Sequence, residues 1–213
     1  MTQLSPNVPV GIMASGTGSN FAALLRASLQ PAKIVGFATD KPGCGAESIA
    51  RHAGLPVLSR KIVSGGKAAF EDAVIEHFSK ASVQVIALCG YMRLVSPRLI
   101  EAFPRGILNI HPSLLPAFPG RNAQQQAFEG GVHVAGCTIH LVDEGMDTGP
   151  ILAQSAIQVL PDDTETTLAF RILRLEHELY APTLIRWARG EYHREGRRMV
   201  WHPSTPQEGL TDD

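Results

Sequence analysis

Short β-branched runs alternate with helix-length amphipathic stretches through the first half of the chain, and no other feature restricts the fold as tightly. Val8 to Ala14, Lys33 to Thr39, Pro56 to Leu58, Val83 to Leu88 and Ile107 to Ile110 read as strands. Asn20 to Leu29, Ala46 to His52, Lys67 to Lys80 and Pro97 to Phe103 read as the helices between them. Strand, helix and strand in succession return the chain in one direction, so the pattern predicts an α/β fold, an open, mostly parallel twisted sheet with helices on both faces. Ligands of such sheets bind beyond the carboxyl ends of the strands.

The second half departs from this alternation. Cys137 to Val142 and Ile151 to Val159 are two further strand-like runs, joined through an acidic, glycine-bearing loop from Asp143 to Pro150. A last helix is expected to open at Asp162-Asp163-Thr164-Glu165, where Asp162 and Glu165 have capping-box spacing, with Leu168, Ile172, Leu175 and Leu179 as its apolar stripe. Pro182 is expected to kink or interrupt it, because proline brings no N–H to the helical ladder.

At 213 residues, with 44% hydrophobic and 18% charged content, the chain suits one substantial core and is short for two full domains, so a single domain over 1–213 is expected. A formal net charge of −1 gives no broad basic surface for nucleic acid, and any anionic ligand needs a local site. Cys44, Cys89 and Cys137 are odd in number and far apart, without a CxxC pair. That argues against a disulfide framework or a zinc knuckle and fits a reducing, cytoplasmic setting. Met1 to Pro9 has no basic cluster leading into an apolar stretch, as a secretory signal would. The best apolar run, Val85 to Cys89, is far short of the roughly 20 residues that cross a bilayer. The polar tail 204–213, with Pro206 and Gly209, is expected to be disordered. Oligomeric state is not legible, a homodimer being one option.

The loop Ala14-Ser15-Gly16-Thr17-Gly18-Ser19-Asn20 follows the first strand and opens a helix. Its backbone N–H groups and the helix dipole should converge on an anion, with phosphate as the natural guest. A dinucleotide site would want a third glycine where Phe21 stands, although Asp40 at the end of the second strand lies about where a ribose-binding acid would. Ser19 and Asn20 add side-chain donors, which suits a terminal monophosphate better than a pyrophosphate. A glycine turn without a ligand is the third alternative.

Asn109-Ile110-His111-Pro112 places an amide and an imidazole two residues apart at a strand end, on one face, and Pro112 stiffens the exit. Such a pair can stabilise an oxyanion formed by attack on a carbonyl. The plain alternative is an asparagine satisfying a turn beside a half-buried histidine. Asp147, in the acidic loop, has the chemistry to orient His111 and stabilise its imidazolium. A calcium loop would also be acidic, but the ligand order of an EF-hand is missing. No HExxH or paired Cys/His spacing marks a metal site among the eight histidines.

Together, Ser15 to Asn20, Tyr91-Met92-Arg93-Leu94, Asn109-Ile110-His111-Pro112-Ser113-Leu114-Leu115-Pro116 and Asp143 to Pro150 closely resemble the glycinamide ribonucleotide formyltransferase family, in order and spacing, from about Val8 to Trp187. The resemblance implies a Rossmann-like formyltransferase fold. About 8–95 would form a ribonucleotide phosphate-binding half and about 96–203 a folate-binding and catalytic half. It implies transfer of the formyl group of 10-formyltetrahydrofolate to the amine of glycinamide ribonucleotide, a step of de novo purine biosynthesis, with no metal. Gly18, Ser19, Asn20 and Glu176 would bind the ribonucleotide. Lys67, Met92, Arg93, Leu94, Val95, Asn109, Asp143, Glu144, Gly145, Met146 and Asp147 would bind the folate, and Asn109, His111 and Asp147 would be catalytic.

Two positions depart from the family. Lys67 stands where some members carry an arginine near the folate tail, and attracts a carboxylate without a bidentate fork. Arg121 to Gln126 replace a segment in which many members carry histidines. The nearest competing enzymes are a formyltetrahydrofolate hydrolase, which would usually carry an extra amino-terminal segment, and a formyltransferase of initiator methionyl-tRNA, which would carry an added carboxyl-terminal domain. A non-catalytic nucleotide- or folate-binding module is a further alternative, and the presence of Asn109, His111 and Asp147 argues against it.

Overall fold

The computed structural model describes residues 7–63 and 66–202. The tail 204–213 lies outside these residues, as does Gly65 ahead of Lys67. The elements run β1 (Val8–Met13), α1 (Ser19–Arg26), β2 (Ala32–Thr39), α2 (Gly45–His52), β3 (Val57–Ser59), α3 (Lys67–Lys80), β4 (Val85–Leu88), α4 (Pro97–Ala102), β5 (Ile107–His111), α5 (Ala123–Glu129), β6 (Val134–Leu141), β7 (Ile151–Gln158), α6 (Glu165–Ala188), β8 (Tyr192–Glu195) and β9 (Arg198–Trp201).

Seven strands form one sheet in the order β3-β2-β1-β4-β5-β6-β7. The pairs from β3 to β5 are parallel, while β6 and β7 are antiparallel additions. The chain therefore winds outward from β1 in both directions, and the gap between β1 and β4 is the topological switch point where such sheets open a crevice. Successive side chains of a strand face opposite sides. In β4, Val85 and Ala87 join one apolar core with Phe21, Phe37, Leu168 and Ile172, whereas Ile86 and Leu88 join a second with Phe70, Val74, Phe78 and Leu99. Burial on both faces explains why this strand reads as a continuous apolar run. Among the described residues no helix is long and apolar enough to cross a membrane.

Two readings are corrected. The capping box of α6 is formed by Thr164 and Thr167, whose side chains each bond the other's backbone N–H. Asp162 and Glu165 do not form it. Asp163 instead accepts from Leu160 N and pairs with Arg171, which leaves Thr164 to face the helix start. Pro182 does not interrupt α6, which runs on to Ala188. Tyr180, Thr183, Leu184 and Ala188 are buried on either side of it, and that burial offsets a proline cost of about 3 kcal/mol. The segment Arg121 to Gln126 enters helix α5. The β8–β9 hairpin was not anticipated because its mostly exposed strands, rich in Arg, His and Glu, lack the apolar alternation that marks a strand.

α6 is fastened to the sheet by Tyr180, 1% exposed, whose hydroxyl lies 3.0 Å from Leu88 O and 3.1 Å from Leu108 O. These carbonyls belong to β4 and β5, whose ends carry the site described below. Tyr180→Phe leaves both carbonyls without this donor and is expected to lower stability by about 1–3 kcal/mol. Urea unfolding with an unchanged m-value would check it.

Candidate active site

A cavity of about 1060 Å³ lies beyond the carboxyl ends of β4 and β5, against the start of α1 and the middle of α6. It brings together Asn20, Lys67, Met92, Arg93, Leu94, Val95, Asn109, His111, Asp143, Gly145, Met146, Asp147 and Glu176. Gly18, Ser19 and Glu144 are not in its lining, and Glu144 is exposed. Met92, Leu94, Met146 and Phe170 are exposed at 63%, 50%, 52% and 62%, apolar surface of the kind that marks a binding site. A second cavity of about 740 Å³ lies against the Asp143–Pro150 segment and is lined by Arg194, Arg197 and Arg198. It touches Asp147 but neither Asn109 nor His111, so the reactive groups converge in the larger one.

The loop after β1 turns into α1 at Gly18, whose φ is 85°. A side chain there would be strained and would strike Ala46 on α2, its Cβ only 2.7 Å from Ala46 Cα, so only glycine allows this packing. No side chain caps α1. Its first N–H groups and the positive end of its dipole therefore have no side-chain cap among the described residues. The side chain of Asn20, expected to face an anion, is otherwise engaged: Nδ2 donates to Glu176 Oε2 at 2.6 Å, and Oδ1 is buried without a partner. Asp40 is not free to hold a ribose either, because it accepts from Ser15 Oγ and pairs with Arg93. The dinucleotide alternative thereby loses its acid.

Glu176 is 5% exposed, and burial pushes its carboxyl up to about 7 against the opposing hydrogen bond from Asn20. The folded chain thus keeps this proton up to about pH 7, whereas the unfolded chain loses it near the ordinary glutamate value, so stability falls as pH rises between the two.

Asn109 and His111 point to one side of β5, as their two-residue spacing requires. Asn109 is directly opposite His140 on β6, and its Nδ2 lies 3.1 Å from His140 Nε2. His140 Nδ1 is 2.8 Å from Leu141 O and must donate to it, which leaves Nε2 to accept from Asn109. The second amide N–H of Asn109 remains for a ligand. His111 Nε2 faces Phe118 O at 2.9 Å and Nδ1 faces Asp147 Oδ2 at 3.3 Å. Both neighbours are acceptors, and only an imidazolium donates to both at once.

Asp147 gathers the site. Oδ2 also accepts from Gly120 N at 2.8 Å, and Oδ1 is 3.5 Å from His140 Nε2. Burial opposes its charge, but the bond from Gly120 N and the nearness of His111 hold its carboxyl below the ordinary range. Asp147 adopts φ 56° and Phe118 φ 54°, left-handed conformations uncommon outside glycine that gather at functional sites. Asp143, expected in folate binding, lines the cavity, but its Oδ1 accepts from Gly145 N and Thr148 Oγ1 and so braces the loop. His140 was missed by the sequence reading. Its signal, a histidine in the strand paired with Asn109, becomes visible only once the register of β5 and β6 is known. Among the described residues no cluster of three His, Cys, Asp or Glu side chains is arranged to hold a metal ion.

Residues 9–184 match the family model for formyl transferase. The chain is 47% identical over 179 residues to phosphoribosylglycinamide formyltransferase of Bacillus subtilis, covering 82% of this chain and 91% of that protein. It is similar in structure to glycinamide ribonucleotide transformylase 1 from Symbiobacterium toebii, with a TM-score of 0.87, 41% identity and coverage of 92% and 94%. A formyltetrahydrofolate deformylase from Pseudomonas syringae pv. tomato shares the fold, with a TM-score of 0.86 at 23% identity over 93% of this chain and 67% of that one. Fold alone therefore does not separate transfer from hydrolysis. The chain belongs to the formyl transferase family. Within it, the similarity at high identity is to phosphoribosylglycinamide formyltransferases.

Glu176→Gln removes the buried charge, and the orphaned Asn20 amide can turn to pair with the new side chain. The variant is expected to be more stable than the native protein at pH 8, by on the order of 3 kcal/mol, with the difference shrinking toward pH 5. Denaturant unfolding at the two pH values would check this. An equal difference at both would mean that Glu176 is not buried against its charge.

Proposed function

We propose that this enzyme transfers the formyl group of 10-formyltetrahydrofolate to the amine of glycinamide ribonucleotide, giving formylglycinamide ribonucleotide in de novo purine biosynthesis. One observation carries the reading: a single cavity runs from an uncapped helix start and Glu176, past Asn109, His111 and Asp147, to the apolar side chains of Met92 and Leu94. That is room for a phosphorylated amine and a pterin to meet at an oxyanion site. The ribonucleotide phosphate lies against the N–H groups at Gly18, Ser19 and Asn20, with Glu176 beside the rest of that substrate. The folate lies along Met92 to Val95 and the Asp143 to Asp147 loop, its anionic tail toward Lys67. Both substrates draw on both halves of one domain. The three cysteines are free and buried, in keeping with a cytoplasmic enzyme.

In the reaction the neutral amine attacks the formyl carbon, and the carbonyl π pair moves onto oxygen. The oxyanion takes one N–H from Asn109, whose amide is aimed by His140, and one from the His111 imidazolium. As the stronger acceptor it displaces the Phe118 carbonyl at Nε2. Asp147 keeps the imidazolium charged and, through water, relays the proton lost by the amine to N10 of the folate as the bond from N10 to the formyl carbon breaks. Placement of two substrates and preorganised donors supply the rate.

Incubation with both substrates is expected to give formylated ribonucleotide, read by mass, with one tetrahydrofolate per product. Release of free formate instead would make the enzyme a hydrolase. Asp147→Asn and His111→Ala are each expected to lower the single-turnover rate by about 10²–10³, and the double variant to be little worse than the poorer single one, since groups acting as a unit are not additive. Lys67→Ala is expected to raise the folate KM several-fold while sparing kcat, as a contact remote from the reacting atoms should.

A further inference from the structure

Asp40 follows β2 beside the switch point, 8% exposed, and its carboxylate oxygens are divided between two neighbours. Oδ1 accepts from Ser15 Oγ at 2.5 Å, and Oδ2 accepts from Arg93 Nε. Ser15 is buried too, and opens the glycine loop that leads into α1. Its N–H donates to Gly90 O at 3.1 Å. The loop is therefore joined to the chain leaving β4 twice, once through backbone and once through Asp40. Arg93 stands in that chain with its side chain about half exposed in the cavity wall. Among the described residues its terminal guanidinium nitrogens make no hydrogen bond or ion pair. A planar fork held at its stem is suited to grip a carboxylate with two bonds, and holding the stem in advance removes much of the rotamer freedom that binding would otherwise cost. Neither Asp40 nor Ser15 lines the cavity.

We infer that Asp40 is a positioning residue of the folate site, setting the Arg93 fork and tying it through Ser15 to the loop that holds the ribonucleotide phosphate. The inference rests on the two-substrate reading of the cavity. It assigns a purpose to the carboxylate that the glycine-loop pattern would have placed on a ribose, and it makes a residue on the ribonucleotide side matter for folate.

The test is a double-mutant cycle between Asp40→Ala and Arg93→Ala, followed by the KM of each substrate, kcat, and calorimetric binding of tetrahydrofolate, which requires no turnover. Asp40→Ala is expected to raise the folate KM and the tetrahydrofolate Kd about tenfold, to move the ribonucleotide KM much less, and to keep kcat within about twofold. In the Arg93→Ala background it should do nothing further to folate. Should Asp40→Ala fail to fold, Ser15→Ala serves in its place, with a smaller rise in the folate KM of about threefold that also vanishes without Arg93. Equal effects in both backgrounds, equal effects on both substrates, or no effect on folate would overturn the inference while leaving the reaction intact. Absence of formyl transfer in the native enzyme, with the coupling still present in tetrahydrofolate binding, would instead overturn the reaction and leave the role of Asp40 standing.

Discussion

The carboxylate of Asp147 is the contact on which the site depends. It reaches His111 on β5, lies beside His140 on β6 and accepts the N–H of Gly120 from the loop after β5, so one side chain joins a strand end to a loop. The pairing of β6 with β7 fixes only the ends of the Asp143–Pro150 segment, the Leu141 N–H donating to Pro150 O. The segment itself is held by Asp143 bracing Gly145 and Thr148 and by Gly149, whose missing side chain allows the loop to close on the Leu141 carbonyl. Fixed charges and dipoles of this kind need not reorganise during a reaction at the site.

Glu176 is buried opposite the uncapped start of α1 with Asn20 as its hydrogen-bonded partner, and charging it inside the protein is unfavourable. A carboxyl so placed lowers stability when it is charged, and the proposed contact with the ribonucleotide would give the position its purpose. Asp40 shows the opposite case, a buried carboxylate with both oxygens matched to donors and so at little penalty.

The sheet was legible because its central strands are buried on both faces and its helices carry apolar stripes. β1, β2, β4 and α3 emerge from local periodicity alone, and Lys67 to Lys80 matches α3 at both ends. The candidate catalytic side chains were named for a different reason: motif order pointed to Asn109, His111 and Asp147, which the fold brings together in one cavity. Features that depend on pairing between distant segments were hidden. His140 needed the β5–β6 register, Asp40 needed the approach of Arg93 from 53 residues away, and the orientation of Asn20 needed α6 to dock. The continuity of α6 through Pro182 was hidden too, since local chemistry predicts a break and only tertiary burial overrides it.

The proposed mechanism requires His111, set between the acceptors Phe118 O and Asp147, to carry a proton on both ring nitrogens, and His140 to present a bare Nε2 to Asn109. Nitrogen-15 NMR of the histidine rings in the native enzyme with glycinamide ribonucleotide and tetrahydrofolate bound reads this directly. The account predicts protons on both ring nitrogens of His111 and on Nδ1 alone of His140, with the His111 Nδ1 proton lost in Asp147→Asn. A His111 ring with one bare nitrogen in the native complex, unchanged by Asp147→Asn, would contradict it.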